Sequence, residues 1–234
     1  MFAFPLTLPT FVRRRMQVTI GVLSLSCCAF AQSQISNAKS VLQLTEEQQR
    51  QFVTSVLDSG FPEGEGDRFS LLLVNRSSLV VPILESRVVL ELERSVPSNR
   101  LIELASAMIA YAGDEQALRA VSKLVAIDEK RFGPLVNRTL DNAANWRNPF
   151  TVAYRGLELG DDAISRRIAE WAESDLKSVR MQRAWAEAML DRCGRVPVEA
   201  DLVKDPIASR LANGLQADLQ RRILQFATEA RNKQ

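Results

Sequence analysis

The chain has 234 residues, of which 46% are hydrophobic and 25% are charged, so it is long enough for one domain with a sizeable core. It contains no histidine, which excludes Ser-His and Cys-His hydrolases, histidine-ligated zinc and c-type haem attachment. Its 30 Lys and Arg nearly balance 28 Asp and Glu, so the sequence predicts no broad positive surface for binding nucleic acid.

Residues 1–31 have the three parts of a secretory signal peptide. A basic patch ends at Arg15, the apolar run 16–28 follows, and Ala29 and Ala31 are the small residues of a cleavage site. We expect cleavage after Ala31 and export to the periplasm or the extracellular space. Cleavage leaves twenty-seven basic against twenty-eight acidic residues, so nucleic acid is not an expected partner of the mature chain.

Other interpretations of this leader stay open. Its apolar stretch, residues 16–31, is shorter than the roughly twenty residues that a membrane-spanning helix needs, which makes a retained anchor the weaker interpretation. Cys27 and Cys28 resemble the acylated cysteine of a lipoprotein signal without its usual leucine spacing. The consecutive arginines are similar to those of a twin-arginine signal. We expect a membrane association only if the leader is retained or lipidated.

The mature chain divides into three parts. Residues 32–44 are polar and predict a flexible segment, residues 45–230 predict a single helical domain, and residues 231–234 form a tail. Cys193 is the single cysteine that remains after cleavage, so no disulfide framework is expected. Its place on an apolar helical face just before Gly194 predicts a buried, inert thiol. Pairing between chains is the alternative.

From Thr45 onward the sequence predicts helix after helix. Thr45 and Gln48 have the spacing of a capping box, and Ser98, Asp114 and Asp161 occupy N-cap positions of later helices. Apolar residues recur at helical spacing, and the predicted inward-facing positions are Phe52, Val53, Val56, Leu57, Phe69, Leu72, Leu73, Leu101, Ala105, Met108, Ile109, Leu118, Val121, Leu124, Val125, Leu135, Val136, Leu140, Ala143, Ala153, Tyr154, Leu157, Ile164, Ile168, Trp171 and Ala172. No run alternates as a strand does, so the predicted fold class is all-α.

Prolines and long apolar patterns predict further helix boundaries. We expect a helix over 79–93 with Pro82 in its first turn, and Pro134, Pro149 and Pro206 at or near helix starts. The pattern also predicts one long helix over 175–193. The expected last helix carries Leu211, Leu215, Leu219, Ile223 and Phe226.

Two stretches of the chain are alike. In each, a helix ends at a glycine and an aspartate caps the next helix, at Gly113-Asp114 and at Gly160-Asp161. This hairpin resembles the units of HEAT-like and tetratricopeptide-like repeat proteins. The glycines at 113, 160 and 194 are spaced by forty-seven and then thirty-four residues, so neither repeat length holds throughout.

The resemblance implies antiparallel helix pairs stacked as a short α-solenoid, with an irregular helical bundle as the alternative. It also implies an extended concave surface of the kind that such families use to bind proteins or peptides.

Two acidic stretches are candidate sites, and each matches a known functional motif only in part. Glu63, Glu65 and Asp67 alternate in a glycine-rich loop, but Val74 stands where a calcium loop needs its bidentate acid, so we expect a solvated loop. Glu85-Ser86 is similar to the catalytic Glu-Ser pair of lytic transglycosylases. The Gly-Leu-Met-Gln element of that family is missing, so we expect a surface glutamate.

Other candidates are an aromatic residue and two sequons. Trp146, in a predicted turn, is a candidate peptide anchor if exposed, although covering the turn is the more ordinary role for such a ring. Asn75 and Asn137 begin formal glycosylation acceptors, relevant only in a glycosylating secretory route.

These observations together predict an exported, non-catalytic helical-repeat protein that binds a protein or peptide. We assign no catalytic, cofactor-binding or metal-binding residues and expect no cofactor. The alternatives are a carboxylate-based cell-wall hydrolase using Glu85 and a structural envelope subunit that pairs through Cys193.

Overall fold

The computed structural model describes residues 40–62, 64–212 and 214–233. Within these ranges the chain is all-helical and has no strand, as the sequence predicts. The predicted leader and residues 32–39 lie outside the described residues. A helical turn at 40–43 buries Val41, and the Gln49 side-chain amide donates to the Val41 carbonyl at 3.1 Å. The start of the described chain is therefore tied to the first complete helix.

Twelve helices have both ends within the described residues, and they pack in two layers. They are α1 (Glu46–Asp58), α2 (Gly66–Asn75), α3 (Ser77–Leu92), α4 (Asn99–Ala112), α5 (Glu115–Ile127), α6 (Glu129–Phe132), α7 (Pro134–Trp146), α8 (Pro149–Leu157), α9 (Asp162–Asp175), α10 (Val179–Cys193), α11 (Glu199–Val203) and α12 (Ala217–Arg231), with a 3-10 turn at Ala208–Arg210. Successive contacts join α3, α5, α8 and α10 in one layer and α4, α7 and α9 in the other. The chain therefore passes between layers from one main helix to the next, while α1 and α2 pack on α3 and α12 packs on α10.

The predicted caps form as expected because they depend on local sequence. Thr45 and Gln48 make both hydrogen bonds of the capping box, at 3.0 and 3.3 Å. The side chains of Ser98, Asp114 and Asp161 each accept from the amide three residues later. Each such cap stabilises its helix by about 1 kcal/mol.

The predicted inward-facing residues make up much of the core. Nearly all of them are buried, and four pack against the core while staying partly exposed, namely Phe52, Leu101, Met108 and Leu157. The core between α8, α9 and α10 is aromatic. The Phe150 ring lies 5.1 Å from Trp171 and 5.8 Å from Trp185, centroid to centroid.

Pro82 does not lie in a first turn. Helix α3 begins at Ser77, and Arg76 alone separates it from α2, so the expected start at 79 is wrong and Pro82 is the sixth residue of the helix. Proline has no amide hydrogen to donate to the preceding turn. The Pro82 side chain is exposed, which spares its ring from the packed side of the helix.

Three boundaries near the C-terminus also differ from the predictions. The expected helix over 175–193 starts later, at Val179, because Asp175 ends α9 and the turn 176–178 separates the two helices. Pro206 opens a stretch that becomes a 3-10 turn instead of an α-helix. Leu211 and Leu215 precede α12 in a loop, where the Gly214 amide donates to the Leu211 carbonyl at 3.1 Å.

Among the described residues no single helix is both long and apolar enough to cross a membrane. Helices α2 and α3 meet that test of length and composition only when taken together, and they bend by 114° where they meet.

The two Gly-Asp hairpins form as predicted, but their surroundings differ. Gly113 has φ 60° and Gly160 has φ 72°, both in the left-handed region that favours glycine. A Cβ on Gly113 would lie 2.6 Å from the Ala143 amide nitrogen, whereas a Cβ on Gly160 would meet nothing within 4 Å. Arg147 and Asn142 of the next pair donate to carbonyls at the end of α4. The first hairpin is thus locked against α7 and the second is open.

Candidate functional site

A shallow cleft of about 370 Å³ opens where α7, α9 and the start of α10 meet. Its lining combines two carboxylates, two cations, three neutral polar side chains and two apolar ones: Asp141, Ala144, Asn145, Ser174, Asp175, Lys177, Ser178, Arg180 and Met181. A second depression lies along α1, but it is an open surface whose lining residues come from α1 and its C-cap Ser59 alone. The cleft is the better candidate because side chains from three elements converge on it.

Asp141 is oriented by a buried tryptophan. The Trp171 indole Nε1 donates to Asp141 Oδ1 at 3.0 Å, and the Trp171 ring packs on Phe150 inside the core. Trp171 lies on the predicted apolar stripe of α9, so the same helix that fills the core also fixes this carboxylate. The other oxygen of Asp141 has no hydrogen bond with a described residue.

The turn 176–178 places the α10 side of the cleft. Leu176 is buried, and the Gln182 side-chain amide donates to the Leu176 carbonyl at 2.7 Å, a bond that satisfies a backbone group freed by the break between helices. The Arg180 guanidinium donates to the Ala144 carbonyl near the end of α7. These bonds fasten α10 to the turn and to α7, so the cleft has fixed walls.

Asp175 is a partly buried charged group in the cleft. Its side chain is partly buried, yet no hydrogen bond or ion pair joins it to any residue in the part of the chain that the structure describes. Burial raises the pKa of Asp175, and the negative charge of Asp141 raises this pKa further. The cleft therefore holds two interacting carboxylates, and no described Lys or Arg forms an ion pair with either of them.

A second polar centre lies beneath α8 and α10. Tyr154 donates to Asp205 Oδ2 at 2.6 Å and accepts from Trp185 Nε1 at 2.8 Å. Asp205 Oδ1 accepts two backbone amides of the 3-10 segment, each at 2.9 Å. The Arg192 guanidinium lies 4.7 Å from the centre of the Tyr154 ring.

This buried centre is satisfied within the chain. Asp205 is only 4% exposed, and burial raises its pKa although three hydrogen bonds oppose that shift. Burial, followed by the charge of Asp205, raises the pKa of Tyr154. With its polar atoms paired internally, the centre fastens the 3-10 segment to α8 and offers no group to a ligand.

The acidic candidates from the sequence lie outside the cleft lining. Glu85 is on α3 and pairs with Lys123 on α5, with Oε1 and Nζ 2.7 Å apart. Glu63 lies outside the described residues, and Glu65 pairs with Arg68 at 2.9 Å. Among the residues that the structure describes, no group of three or more His, Cys, Asp or Glu is arranged to hold a metal ion.

The remaining candidates are Trp146, Cys193 and the two sequons, and they differ in how far they are exposed. Trp146 is 40% exposed at the end of α7. Cys193 is partly exposed, contrary to the expected burial, and the burial that it does have, followed by the charge of Asp201, raises its pKa. Asn75 is exposed at the α2–α3 break, whereas Thr139 of the other sequon is fully buried.

Comparison of the chain with protein-family models, curated proteins and solved structures gives no match. The sequence did not single out Asp141, Asn145 or Asp175, because each is simply a polar residue opposite an apolar stripe. The sequence shows only that these residues lie opposite apolar stripes, and the same is true of most surface residues.

Proposed function

We propose that the chain is an exported, non-catalytic helical-repeat protein that binds a protein or peptide in the cell envelope or outside the cell. The observation that carries this proposal is the cleft between α7, α9 and α10. It lies where two successive helix pairs meet, and its lining offers donors, acceptors and both signs of charge. A polypeptide segment presents all of these groups, since its backbone alone has a donor and an acceptor at most residues.

The two-layer packing supports a repeat-like arrangement. We propose that the helix pairs α4–α5, α7–α8 and α9–α10 stack as a short solenoid, with the Gly113-Asp114 hairpin as the turn within the first pair and the Gly160-Asp161 hairpin as the turn between the second and third. In such folds each pair packs mainly on its neighbours, and binding surfaces run across several pairs. The position of the cleft, across one junction between pairs, agrees with this use.

A binding role also fits the side chains in the cleft. Ser174 and Ser178 line it, but the chain has no histidine to activate a serine hydroxyl. Asp141 is already held by the Trp171 indole, which gives this carboxylate a fixed, hydrogen-bonded position. We therefore propose that the cleft recognises its partner by hydrogen bonds and charge, without a chemical step.

Trp146 gives the partner a second place to bind. Its ring is 40% exposed, whereas Trp171 and Trp185 are buried. Aromatic side chains of this size contribute strongly to binding when a partner covers them. Trp146 directly follows Asn145, a cleft residue, so a partner of modest size can contact both regions.

A position-specific crosslink tests the proposal. A photo-reactive amino acid replaces Asn145, which is exposed and lines the cleft, and a control protein carries it at Gln116, which is exposed on α5. We expect crosslinked polypeptides from envelope extract with the Asn145 protein and far fewer with the control. Equal crosslinking at both positions, or none at Asn145, would contradict binding at the cleft.

A further inference from the structure

We infer that the partner presents a lysine or arginine side chain, and that this side chain enters the cleft and pairs with Asp141 and Asp175. This inference rests on the proposed binding function and adds the chemistry of the partner. It follows from the carboxylate without an ion-pair partner, from the second carboxylate near it and from the apolar residues of the lining.

The first support is the missing counter-charge at Asp175. Lys177 and Arg180 also line the cleft, but no ion pair joins either of them to Asp175 among the described residues. Both are exposed, and the Arg180 guanidinium donates to the Ala144 carbonyl. A cation from the partner would therefore find a carboxylate that no described residue already neutralises.

The second support is the proximity of two like charges. Asp141 is fixed by Trp171, so it cannot move away from Asp175 without breaking the indole hydrogen bond. Burial and the charge of Asp141 both raise the pKa of Asp175. A cation placed between the carboxylates reduces their repulsion and supplies the hydrogen-bond donors that Asp175 lacks.

The third support is the combination of apolar and acidic surface. Met181 is buried and Ala144 is partly buried beside the carboxylates. Lysine and arginine have an apolar stem that ends in a cationic head. The stem can pack on Met181 and Ala144 while the head reaches Asp141 and Asp175.

An acidic partner fits the cleft less well. It would have to pair with Lys177 and Arg180, whose exposed heads are surrounded by water, where an ion pair contributes little. Asp175 is partly desolvated, so its charge gains more from a direct partner than an exposed charge does. The favoured occupant is therefore cationic.

The test uses pools of short, end-blocked peptides with random flanks and one fixed central residue. The four fixed residues are lysine, arginine, acetyl-lysine and glutamate, so acetyl-lysine keeps the stem and removes the charge. Binding to the purified protein is measured by fluorescence anisotropy. Asp175→Asn removes the unpaired charge at nearly constant shape, and Asp191→Asn, an exposed residue farther along α10, is the matched control.

We expect the lysine and arginine pools to bind more tightly than the acetyl-lysine and glutamate pools. Asp175→Asn should weaken the binding of the lysine pool by about tenfold, and raised salt should weaken it as well. Asp191→Asn should leave it unchanged. Thermal unfolding of both variants checks that each is folded.

The outcomes separate this inference from the function on which it rests. Equal binding of all four pools, a preference for glutamate, or no effect of Asp175→Asn overturns the cationic partner while binding at the cleft stands. If no pool binds but Asn145 crosslinks specifically, the cationic inference is again overturned and the proposed function is retained. If neither pools nor crosslinks are observed, both are overturned.

Discussion

Asp205 and Asp175 are the same residue type, and burial raises the pKa of both, yet they lie in opposite kinds of surroundings. Asp205 accepts hydrogen bonds from Tyr154, Ile207 and Ala208. Asp175 has no side-chain hydrogen bond or ion pair with a described residue and lines an open cleft. The first carboxylate is already used by the fold, and the second is available to a partner.

The comparison shows that a raised pKa is not by itself a sign of a functional site. A buried carboxylate whose hydrogen bonds are all internal stabilises the fold, because removing it leaves its donors unpaired. A partly buried carboxylate without partners costs the fold some stability, because burial disfavours its charged form. What distinguishes the two is the set of donors around them.

The largest expected effect is on the structural side of this comparison. Asp205→Ala leaves the Tyr154 hydroxyl and two amides buried without an acceptor, so we expect the free energy of unfolding to fall by about 3 kcal/mol. Urea unfolding followed by circular dichroism measures it. Asp191→Ala, at an exposed site, should change stability by no more than about 0.5 kcal/mol. A loss below 1 kcal/mol for Asp205→Ala would remove the contrast with Asp175.

A second pair of identical residues in different surroundings extends the contrast. Gly113→Ala puts a methyl group 2.6 Å from the Ala143 nitrogen, whereas Gly160→Ala meets no atom within 4 Å. Both substitutions add a side chain to a residue with a left-handed backbone, so they share that cost. Because of the additional close contact, we expect Gly113→Ala to lower the free energy of unfolding by about 2 kcal/mol more than Gly160→Ala does. Equal losses in urea unfolding would mean that the first hairpin is not locked against α7.

The reactivity of the Cys193 thiol reports on its burial and on the acidic residues near it, among them Asp205. Burial raises the pKa of this thiol, the charge of Asp201 raises it next, and Asp205 adds to the same direction. We expect the thiol to react with an aromatic disulfide reagent more slowly in the folded protein than in urea, because less of it is thiolate. The pH at which the reaction rate reaches half its maximum depends on the pKa of the thiol and not on the reagent's access to it. This midpoint should lie above about 8.5. A lower midpoint would contradict the prediction.

The smallest expected effect is on the stability contribution of Asp175. Its folded pKa is raised, so its favourable contribution is complete below the unfolded pKa of about 3.9 and is lost as pH rises through the folded value. We expect Asp175→Asn to be more stable than the parent at neutral pH by about 0.3 kcal/mol, a small value because water screens the partly exposed site. This advantage should disappear in unfolding experiments below about pH 3.9. A neutral-pH loss of stability would indicate that Asp175 has a structural partner.

The sequence predicted most of the helices correctly because their signals are local. The caps at Thr45, Ser98, Asp114 and Asp161 form within three residues of chain, and the apolar stripes determine which face each helix buries. Neither signal depends on where the rest of the chain lies. The same locality explains why the two Gly-Asp hairpins were recognised.

The errors arose where tertiary contacts overrule local preference. The apolar pattern runs through residues 175–193, but the chain turns at 176–178, burying Leu176 and gaining the Gln182 hydrogen bond. Pro82 lies well inside α3, although proline usually marks a helix start. At 176–178, the burial of Leu176 and the Gln182 hydrogen bond decide the boundary.

The candidate site was beyond the reach of sequence patterns. Asp141 and Trp171 are thirty residues apart, Tyr154 and Asp205 are fifty-one apart, and no spacing rule links such positions. The carboxylates at 141 and 175 looked like ordinary surface residues of two helices. Only the packing of α9 on α7 brings them into one cleft.

The sequence by itself determined the all-α class, most helix faces and caps, and the absence of histidine chemistry, since these follow from composition and from interactions between near neighbours. The tertiary structure alone decided which aspartate is buried and hydrogen-bonded and which is partly buried without a side-chain partner among the described residues. The physical reason is that a carboxylate's role depends on its solvent and its donors. Both are supplied by segments that are distant in the chain and meet only when the helices pack.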